Sequence, residues 1–384
     1  MKPMLRFKAE DGSDFPDWEK MTLGDVGSVT MCKRVFKEQT SSAGDVPFFK
    51  IGTFGSEPDA YISRELFEAL KKNNPYPKNG TVLLSASGTV GRQVVYQGED
   101  AYYQDSNIVW LEHDGSVTDS FLEQFYSAVH WQGLEGSTIK RLYNKTILST
   151  TFYRPSLPEQ RKIADLLSTV DRVIAEQQSE VAAWEQRKKG IMQKLFSQEV
   201  RFKADDGSDF PDWEKKKLGE ICEYGRQRGI GAHYVGIENM LKDFGGIVIN
   251  DPEAEASGSL YFEGDTLMSN IRPYLKKVWK ADCNGACSTD VLVFHPTNVE
   301  SDYLHCVIAS DSFVTYVMRA AKGSKMPRGD KTHIMQMPLI LPSLPEQRKI
   351  ADCLSSIDDV IAKEKAELTK WQELKKGLLQ QMFV

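Results

Sequence analysis

The sequence predicts an α+β fold: two mixed α/β modules alternate with two long helices, which pair as an antiparallel coiled coil, and an internal pseudo-two-fold symmetry relates the halves. Three observations predict it. RFKAEDGSDFPDWEK, starting at Arg6, returns as RFKADDGSDFPDWEK at Arg201, and residues 6–26 match 201–221 at 16 of 21 positions. PSLPEQRKIADLLSTVDRVIA at Pro155 returns as PSLPEQRKIADCLSSIDDVIA at Pro342. That match runs on to Phe196 and Phe383 with 24 identities in 42 positions. The stretches between, 27–154 and 222–341, are similar in length and unlike in sequence. Two copies are too few for a solenoid but suit a dimer written on one chain. The expected division is 1–154, leader and first module; 155–200, first long helix; 201–341, second leader and module; 342–384, second long helix.

Each element has its own warrant. The leaders read as turns that set Phe15 and Trp18, with their counterparts, against a helix base. In the first helix Ile163, Val170, Gln177, Trp184 and Ile191 recur every seven residues, beside Leu167, Ile174, Val181, Lys188 and Leu195. The second repeats this with Ile350, Ile357, Glu364, Trp371 and Leu378, beside Leu354, Ile361, Leu368, Lys375 and Met382. Such 4-3 spacing is a coiled-coil seam. The bland alternative is two amphipathic helices, each buried on its own module. Pro158 and Pro345 suit a first helical turn, as do the acidic Glu159 and Glu346 behind them. About 40 residues at 1.5 Å each make a rod of roughly 60 Å, and rods related by a pseudo-dyad pack antiparallel. Polar seam positions (Gln177/Glu364, Lys188/Lys375) cost a seam stability and have two readings, a device that fixes its register or places where the seam opens.

The modules are rich in short apolar runs of strand type. The first has VPFFKIG at Val46, TVLLSAS at Thr81, RQVVY at Arg92 and SNIVWL at Ser106. The second has HYVGIE at His233, GGIVI at Gly245, DTLMS at Asp265 and DVLVF at Asp290. One apolar helical stretch follows in each, FLEQFYSAVHW at Phe121 and DYLHCVIASDSFVTYVMRA at Asp302. A glycine-serine step with basic residues comes next, GSTIKR at Gly136 and GSKMPR at Gly323. A common frame around two divergent inserts suggests two readers of two different targets.

The bulk figures bound the class. Of 384 residues, 41% are hydrophobic and 27% charged, ordinary for a globular protein. No run is long and apolar enough to span a membrane, and the N-terminus lacks a secretory apolar core. Six scattered cysteines fit a reducing cytoplasm. A net charge of −6 argues mildly against nucleic acid, but the location of the charges decides. The basic residues cluster on expected loops. The first module offers Arg92, Lys140, Arg141 and Lys145, with Ser85 and Thr89 in SASGTVGR. The second offers Arg226 and Arg228 near a glycine turn, Arg272, Lys276 and Lys277 interleaved with Tyr274, and Lys325, Arg328 and Lys331. Basic and aromatic residues on loops suit phosphates and base edges; for any one lysine a solvated surface is the blander reading. SASGTVGR is neither a Walker loop nor GxGxxG, so a nucleotide site is rejected.

Catalytic chemistry is missing. No HExxH or GxSxG occurs. NNPYPK at Asn73 has one proline where the amino-methyltransferase motif NPPY has two. PDWEK at Pro16 and Pro211 packs its carboxylates into one turn, unlike PD…ExK nucleases. Cys283 and Cys287, with His295 and His305 beyond, match no standard zinc set, and structural cysteines are the preferred reading.

The duplicated PSLPEQRKIAD helix starts, the WEKMTLGDV and WEKKKLGEI leaders and the glycine-serine-basic steps together resemble the specificity (S) subunits of type I restriction–modification systems, over essentially the whole chain. The resemblance implies that each module is a target recognition domain for half of a bipartite double-stranded DNA site, with the paired helices as a ruler. It implies two methyltransferase (M) subunits docked on the repeats, with Arg161, Lys162, Arg348 and Lys349 as candidate contacts, and restriction (R) subunits joining them. S-adenosylmethionine, Mg²⁺ and ATP would belong to those partners, leaving this chain non-catalytic and without a cofactor. Two other readings stay open: a coiled-coil protein adaptor that does not bind DNA specifically, and the recognition subunit of a type IIB-like system.

Overall fold

The computed structural model describes residues 3–131, 140–249, 251–253 and 255–383. The chain divides into two compact units, one of residues 1–179 with 366–384, the other of residues 180–365.

In the first unit, β1 (Glu19–Thr22) leads through a short helix, α1 (Leu23–Val26), into β2 (Gly27–Thr30). Then follow β3 (Val46–Phe49), β4 (Tyr61–Ile62), α2 (Arg64–Asn73), β5 (Val82–Ser85), β6 (Gln93–Val95), β7 (Tyr102–Tyr103) and β8 (Ile108–His113). α3 (Asp119–Ala128), α4 (Asn144–Leu148) and β9 (Thr151–Arg154) lead into the long helix α5 (Leu157–Phe196). The strands form a four-stranded sheet in the order β2-β8-β5-β6, a three-stranded sheet β4-β3-β7, and the pair β1-β9. The buried runs of β5 and β8 explain the register: Leu84 pairs with Val109 and Ser85 with Ile108, so both apolar strands lie inside the sheet.

The second unit repeats the plan. β10 (Glu214–Lys217), β11 (Cys222–Tyr224), β12 (Arg228–Gly231), β13 (Ala256–Tyr261), β14 (Thr266–Ser269), β15 (Val278–Lys280), β16 (Gly285–Cys287) and β17 (Val291–Pro296) precede α6 (Ser301–Ile308) and α7 (Asp311–Arg319). α8 (Lys331–Met335), β18 (Pro338–Leu341) and the second long helix, α9 (Leu344–Phe383), complete it. The sheets are β11-β17-β14-β15, β12-β13-β16 and the pair β10-β18. The fold is therefore the expected one, two pseudo-symmetric α/β domains joined by long helices that pack together.

Two details differ from the sequence reading. HYVGIE and GGIVI are not strands. Val235 makes a single bridge to Cys287, and Ile247 one to Met240, while Ile237, Ile247 and Ile249 pack on the small core around Tyr261 and Leu267. These apolar runs are loops anchored by buried Val235 and by partly buried isoleucines, which periodicity does not separate from strands. The stretch from Asp302 is two helices, broken where Ser310 caps α7 by accepting a bond from the Phe313 amide at 3.2 Å.

The leaders tie down the helix starts. Arg6 grips Glu159 with two bonds (Nε–Oε1 3.1 Å, Nη2–Oε2 2.8 Å), and Trp18 Nε1 donates to the same carboxylate at 2.9 Å. Arg201, Trp213 and Glu346 repeat this with the same three distances. Both glutamates are fully buried. Gln160 next to Glu159 accepts from the Thr118 amide and donates to Ser116 and Pro155 carbonyls, sewing α5 to the turn that starts α3. Gln347 does likewise with Glu300 and Pro342. The repeated PEQ is thus a buried polar joint whose partners are all supplied.

Within the first unit Ile163 and Leu167 of α5 share one core with Met382 and Leu378 of α9, and Asp171 meets Lys375 at 2.5 Å. Within the second, Leu195 of α5 shares a core with Ile350 and Leu354 of α9; Lys188 meets Asp358 at 2.6 Å and Glu185 meets Lys365 at 2.7 Å. Numbering rises along one helix as it falls along the other, so the packing is antiparallel in each. Ile163, Leu167, Val170, Val181, Leu195, Ile350, Leu354, Ile357, Ile361 and Met382 are buried. Ile174, Trp184, Ile191, Leu368, Trp371 and Leu378 are half-buried. The long helices pair with each other, as expected, and their ends also contribute to the module cores. The Phe383 ring lies tilted against Phe121 (5.4 Å), and Phe196 meets Tyr303 edge-on (5.9 Å).

Candidate nucleic-acid interface

In the first unit the loop after β5 is built from its own hydrogen bonds. Ser85 is buried; its Oγ donates to the Thr89 carbonyl and accepts from the Arg92 amide at 2.9 Å. Gly88 (φ +69°) and Gly91 (φ +79°) supply the left-handed turns, and a Cβ on Gly91 would lie 2.6 Å from Trp131 Nε1. Ser85 therefore shapes the loop from within, and Thr89 and Arg92 are the exposed members. Arg92 Nη1 donates to the Phe54 carbonyl at 2.8 Å, which braces its guanidinium. The segment before α4 lies against this loop: Ser87 bridges Arg141, and the Leu142 amide donates to Ala86 at 2.8 Å. Lys140, Arg141 and Lys145 are exposed there. The glycine-serine step at Gly136 lies outside the described residues.

The second unit joins the same two segments by different means. After β14, Arg272 (φ +52°) and Lys276 (φ +54°) take the left-handed turns that glycines take in the first unit, flanking the turn Pro273–Leu275. Ile271 bridges Arg328, and the Arg272 amide donates to Pro327 at 2.8 Å. Residues 322–328 form a tight hairpin, with Lys322 and Arg328 exchanging both backbone bonds at 2.9 Å. Arg272, Tyr274, Lys325 and Arg328 are exposed, although Arg328 pairs with Asp290 at 3.0 Å. Lys276 and Lys277 turn inward, to Asp311 (2.7 Å) and the Ile237 carbonyl (2.6 Å). The bonds from Lys276 and Lys189 hold the Asp311 carboxyl below the usual carboxylate range.

Arg226, Arg228 and Lys331 meet elsewhere in this unit, around a cleft of about 270 Å³ lined also by Tyr224, Ser259 and Thr289. Tyr224, Ser259 and Thr289 were not foreseen, because their approach depends on the pairing of β11 with β17 and of β12 with β13.

Of the four candidate docking cations, Lys162 donates to the Lys8 carbonyl and Lys349 to that of Lys203, each at 2.8 Å, so both serve the leader joint. Arg348 pairs with Glu300 at 2.6 Å, and Arg161 is exposed. Among the described residues no three His, Cys, Asp or Glu gather as a metal site. Burial pushes the thiols of Cys32, Cys222, Cys287 and Cys306 up to about 12, which keeps them protonated. No helix among those described is long and apolar enough to cross a membrane.

Comparison with known proteins gives these surfaces a family. The model of the type I restriction modification DNA specificity domain matches twice, over residues 16–182 and 211–370. A putative type I restriction enzyme specificity subunit of Haemophilus influenzae is 53% identical over 146 residues, a match spanning 38% of either chain. The MjaVIII specificity subunit of Methanocaldococcus jannaschii is 23% identical over 97% of this chain and 94% of its own. The crystal structure of the S subunit from M. genitalium superposes with a TM-score of 0.61 at 15% identity, covering 100% of this chain and 99% of that one, and so shares the fold. The chain belongs to the type I restriction modification DNA specificity family, as a two-domain specificity (S) subunit that supplies DNA recognition to a type I restriction–modification complex.

Proposed function

We propose that the two modules, within 1–154 and 201–341, each read one half of a bipartite duplex site, and that the paired helices within 155–200 and 342–384 set the spacing of the halves. The observation that carries this is one frame built twice around two unlike loop sets. Exposed Lys140, Arg141, Lys325 and Arg328 serve as phosphate contacts that fix position, and Arg92, Arg272 and Tyr274 on the adjoining loops approach base edges. A good bidentate base contact discriminates by about 1–3 kcal/mol. Joining two readers on one chain makes the second binding event intramolecular. Methyltransferase subunits, bringing S-adenosylmethionine, dock on the repeated frame, one per copy; restriction subunits, bringing ATP and Mg²⁺ chemistry, join them. The docking face fits the exposed stripe Leu157, Arg161 and Asp165 and its equivalent Leu344, Arg348 and Asp352, identical in both copies. Farther along the same helices exposed pairs such as Arg172/Asp359 and Glu176/Lys363 differ.

Single-molecule methylation mapping of DNA from cells expressing this chain with a cognate methyltransferase subunit tests the reading. The expected result is modification at a split motif that disappears without the chain. Unchanged methylation, with the chain folded and bound to the methyltransferase, overturns it in favour of an adaptor. Deleting one heptad from a long helix removes about 10 Å of rod, or roughly three base pairs of axis at 3.4 Å each, so the spacer preference shifts. An unaltered spacer refutes the ruler.

A further inference from the structure

We infer that the cleft of the second module is a binding site for a single phosphodiester group of the DNA backbone, an inference that rests on the DNA-recognition reading. Its charge is uncompensated. Arg226, Arg228 and Lys331 line it, and no carboxylate does. Two of the carboxylates adjacent in sequence to its lining residues face other cations. Asp290, beside Thr289, pairs with Arg328 at 3.0 Å, and Asp330, beside Lys331, pairs with Lys322 at 3.0 Å while capping α8. Three other cations of this unit are paired, Lys280 with Asp302, Lys276 with Asp311 and Lys188 with Asp358. Among the described residues, neither Arg226 nor Arg228 makes an ion pair, and both are exposed. The ammonium of Lys331 sits 5.9 Å over the Tyr224 ring, whose hydroxyl donates to the Lys331 carbonyl at 3.0 Å, so this cation is held at the rim.

Unpaired cations converging on one concavity, with the hydroxyls of Ser259 and Thr289 as neutral donors, fit an anion with several acceptor oxygens. An open cleft on a DNA-recognition module admits that anion as part of a polymer. The site is one-sided. β2 and β11 hold equivalent places, with Gly27 paired to His113 and Cys222 to Pro296, the last residues of β8 and β17. Counting from these pairs, and from the first residues of α4 and α8, the first module carries Met31, Lys33 and Asn144 where the second has Arg226, Arg228 and Lys331. The two half-sites are therefore held by different phosphate contacts.

The test compares the full chain with the double variant Arg226→Gln/Arg228→Gln, using a short random-sequence duplex over a salt series. The variant keeps its fold by circular dichroism and melting, loses at least about ten-fold in affinity, and shows a salt slope shallower by about 0.9. Lys280→Gln, removing a cation paired with Asp302, leaves the slope alone. On a duplex carrying the mapped target, a methylphosphonate scan then weakens wild-type binding at one position that no longer matters to the variant. Wild-type affinity and slope in the variant, or a methylphosphonate profile identical in both, overturn the cleft assignment while DNA recognition stands. Absence of duplex binding by the wild-type chain at low salt removes both.

Discussion

Replacing Glu159 tests whether the repeated leader is a structural clamp. Its carboxylate is fully buried and receives three donors, from Arg6 at 3.1 and 2.8 Å and from Trp18 at 2.9 Å. The bond from Glu159 raises the Arg6 pKa above its ordinary value. Glu159→Ala strands a guanidinium and an indole N–H. Breaking a buried pair costs about 3–5 kcal/mol. The Arg6 side chain is 21% exposed and has Asp17 at 3.6 Å, so water and Asp17 offset part of the loss and about 2–4 kcal/mol remains. Urea unfolding followed through tryptophan fluorescence measures it, since Trp18 is itself a member of the clamp. Hydrogen exchange at the Ala9 amide, which donates to Ser13 at 2.9 Å, reports whether the leader detaches first. In a double-mutant cycle with Arg6→Ala the two losses overlap, with a coupling of about 1.5–3 kcal/mol. Additivity within about 0.5 kcal/mol would refute the reasoning, and Glu346→Ala with Arg201→Ala supplies an independent repeat.

Three further outcomes follow from the same geometry. Ser85→Ala removes the buried hydroxyl that closes the β5 loop and lowers stability by about 1–2 kcal/mol, while Gly91→Ala, at φ +79° against Trp131, costs about 1–3 kcal/mol; thermal melting reads both, and neutral substitutions would mean the loop is not held this way. Burial, then Lys188 and Lys280, push His305 down from 6.5 to about 4, so the folded state resists its protonation. That stability is complete above pH 6.5 and is lost as pH falls towards 4, by on the order of 2–3 kcal/mol; His305→Leu flattens the slope of urea stability in that window, and an unchanged slope excludes His305 as its source. Asp358→Lys places two cations together and loses up to about 1 kcal/mol, because the pair is partly exposed, and adding Lys188→Asp restores it; failure of the swap to restore stability in urea would deny the pair its place.

The frame was legible because it is periodic and repeated. Seven-residue spacing picked out twenty seam positions, sixteen of them apolar, and every one is buried or half-buried. Strands with flanking turn residues were equally plain, as at Val82 and Val291. What sequence could not show was the direction of individual polar side chains. Lys276 and Lys325 look alike as letters, but one reaches Asp311 and the other is exposed. Ser85 lies in a loop that invites a phosphate, yet its hydroxyl is consumed by the loop backbone. HYVGIE has the composition of a strand and is a partly buried loop, because burial alone does not distinguish the two. The clamp glutamates, read as favourable charges at a helix start, owe their place to an arginine about 150 residues away in each half.

Heptads alone leave the helix register open, since an antiparallel seam slipped by seven residues still opposes apolar rows. The polar seam positions close that choice. Lys188 faces Asp358 in one unit and Lys375 faces Asp171 in the other, the same pair under the repeat. A slip of one heptad in either direction brings Lys188 opposite Ala351 or Lys365, and Lys375 opposite Ala164 or Gln178. Each slip loses both ion pairs, and one sets two ammonium groups against each other. It also moves the helix ends by about 10 Å. Phe383 then leaves Phe121, and Phe196 leaves Tyr303, so apolar ends that complete the two module cores lose their seats. Register and module packing thus stabilise the same arrangement within each unit.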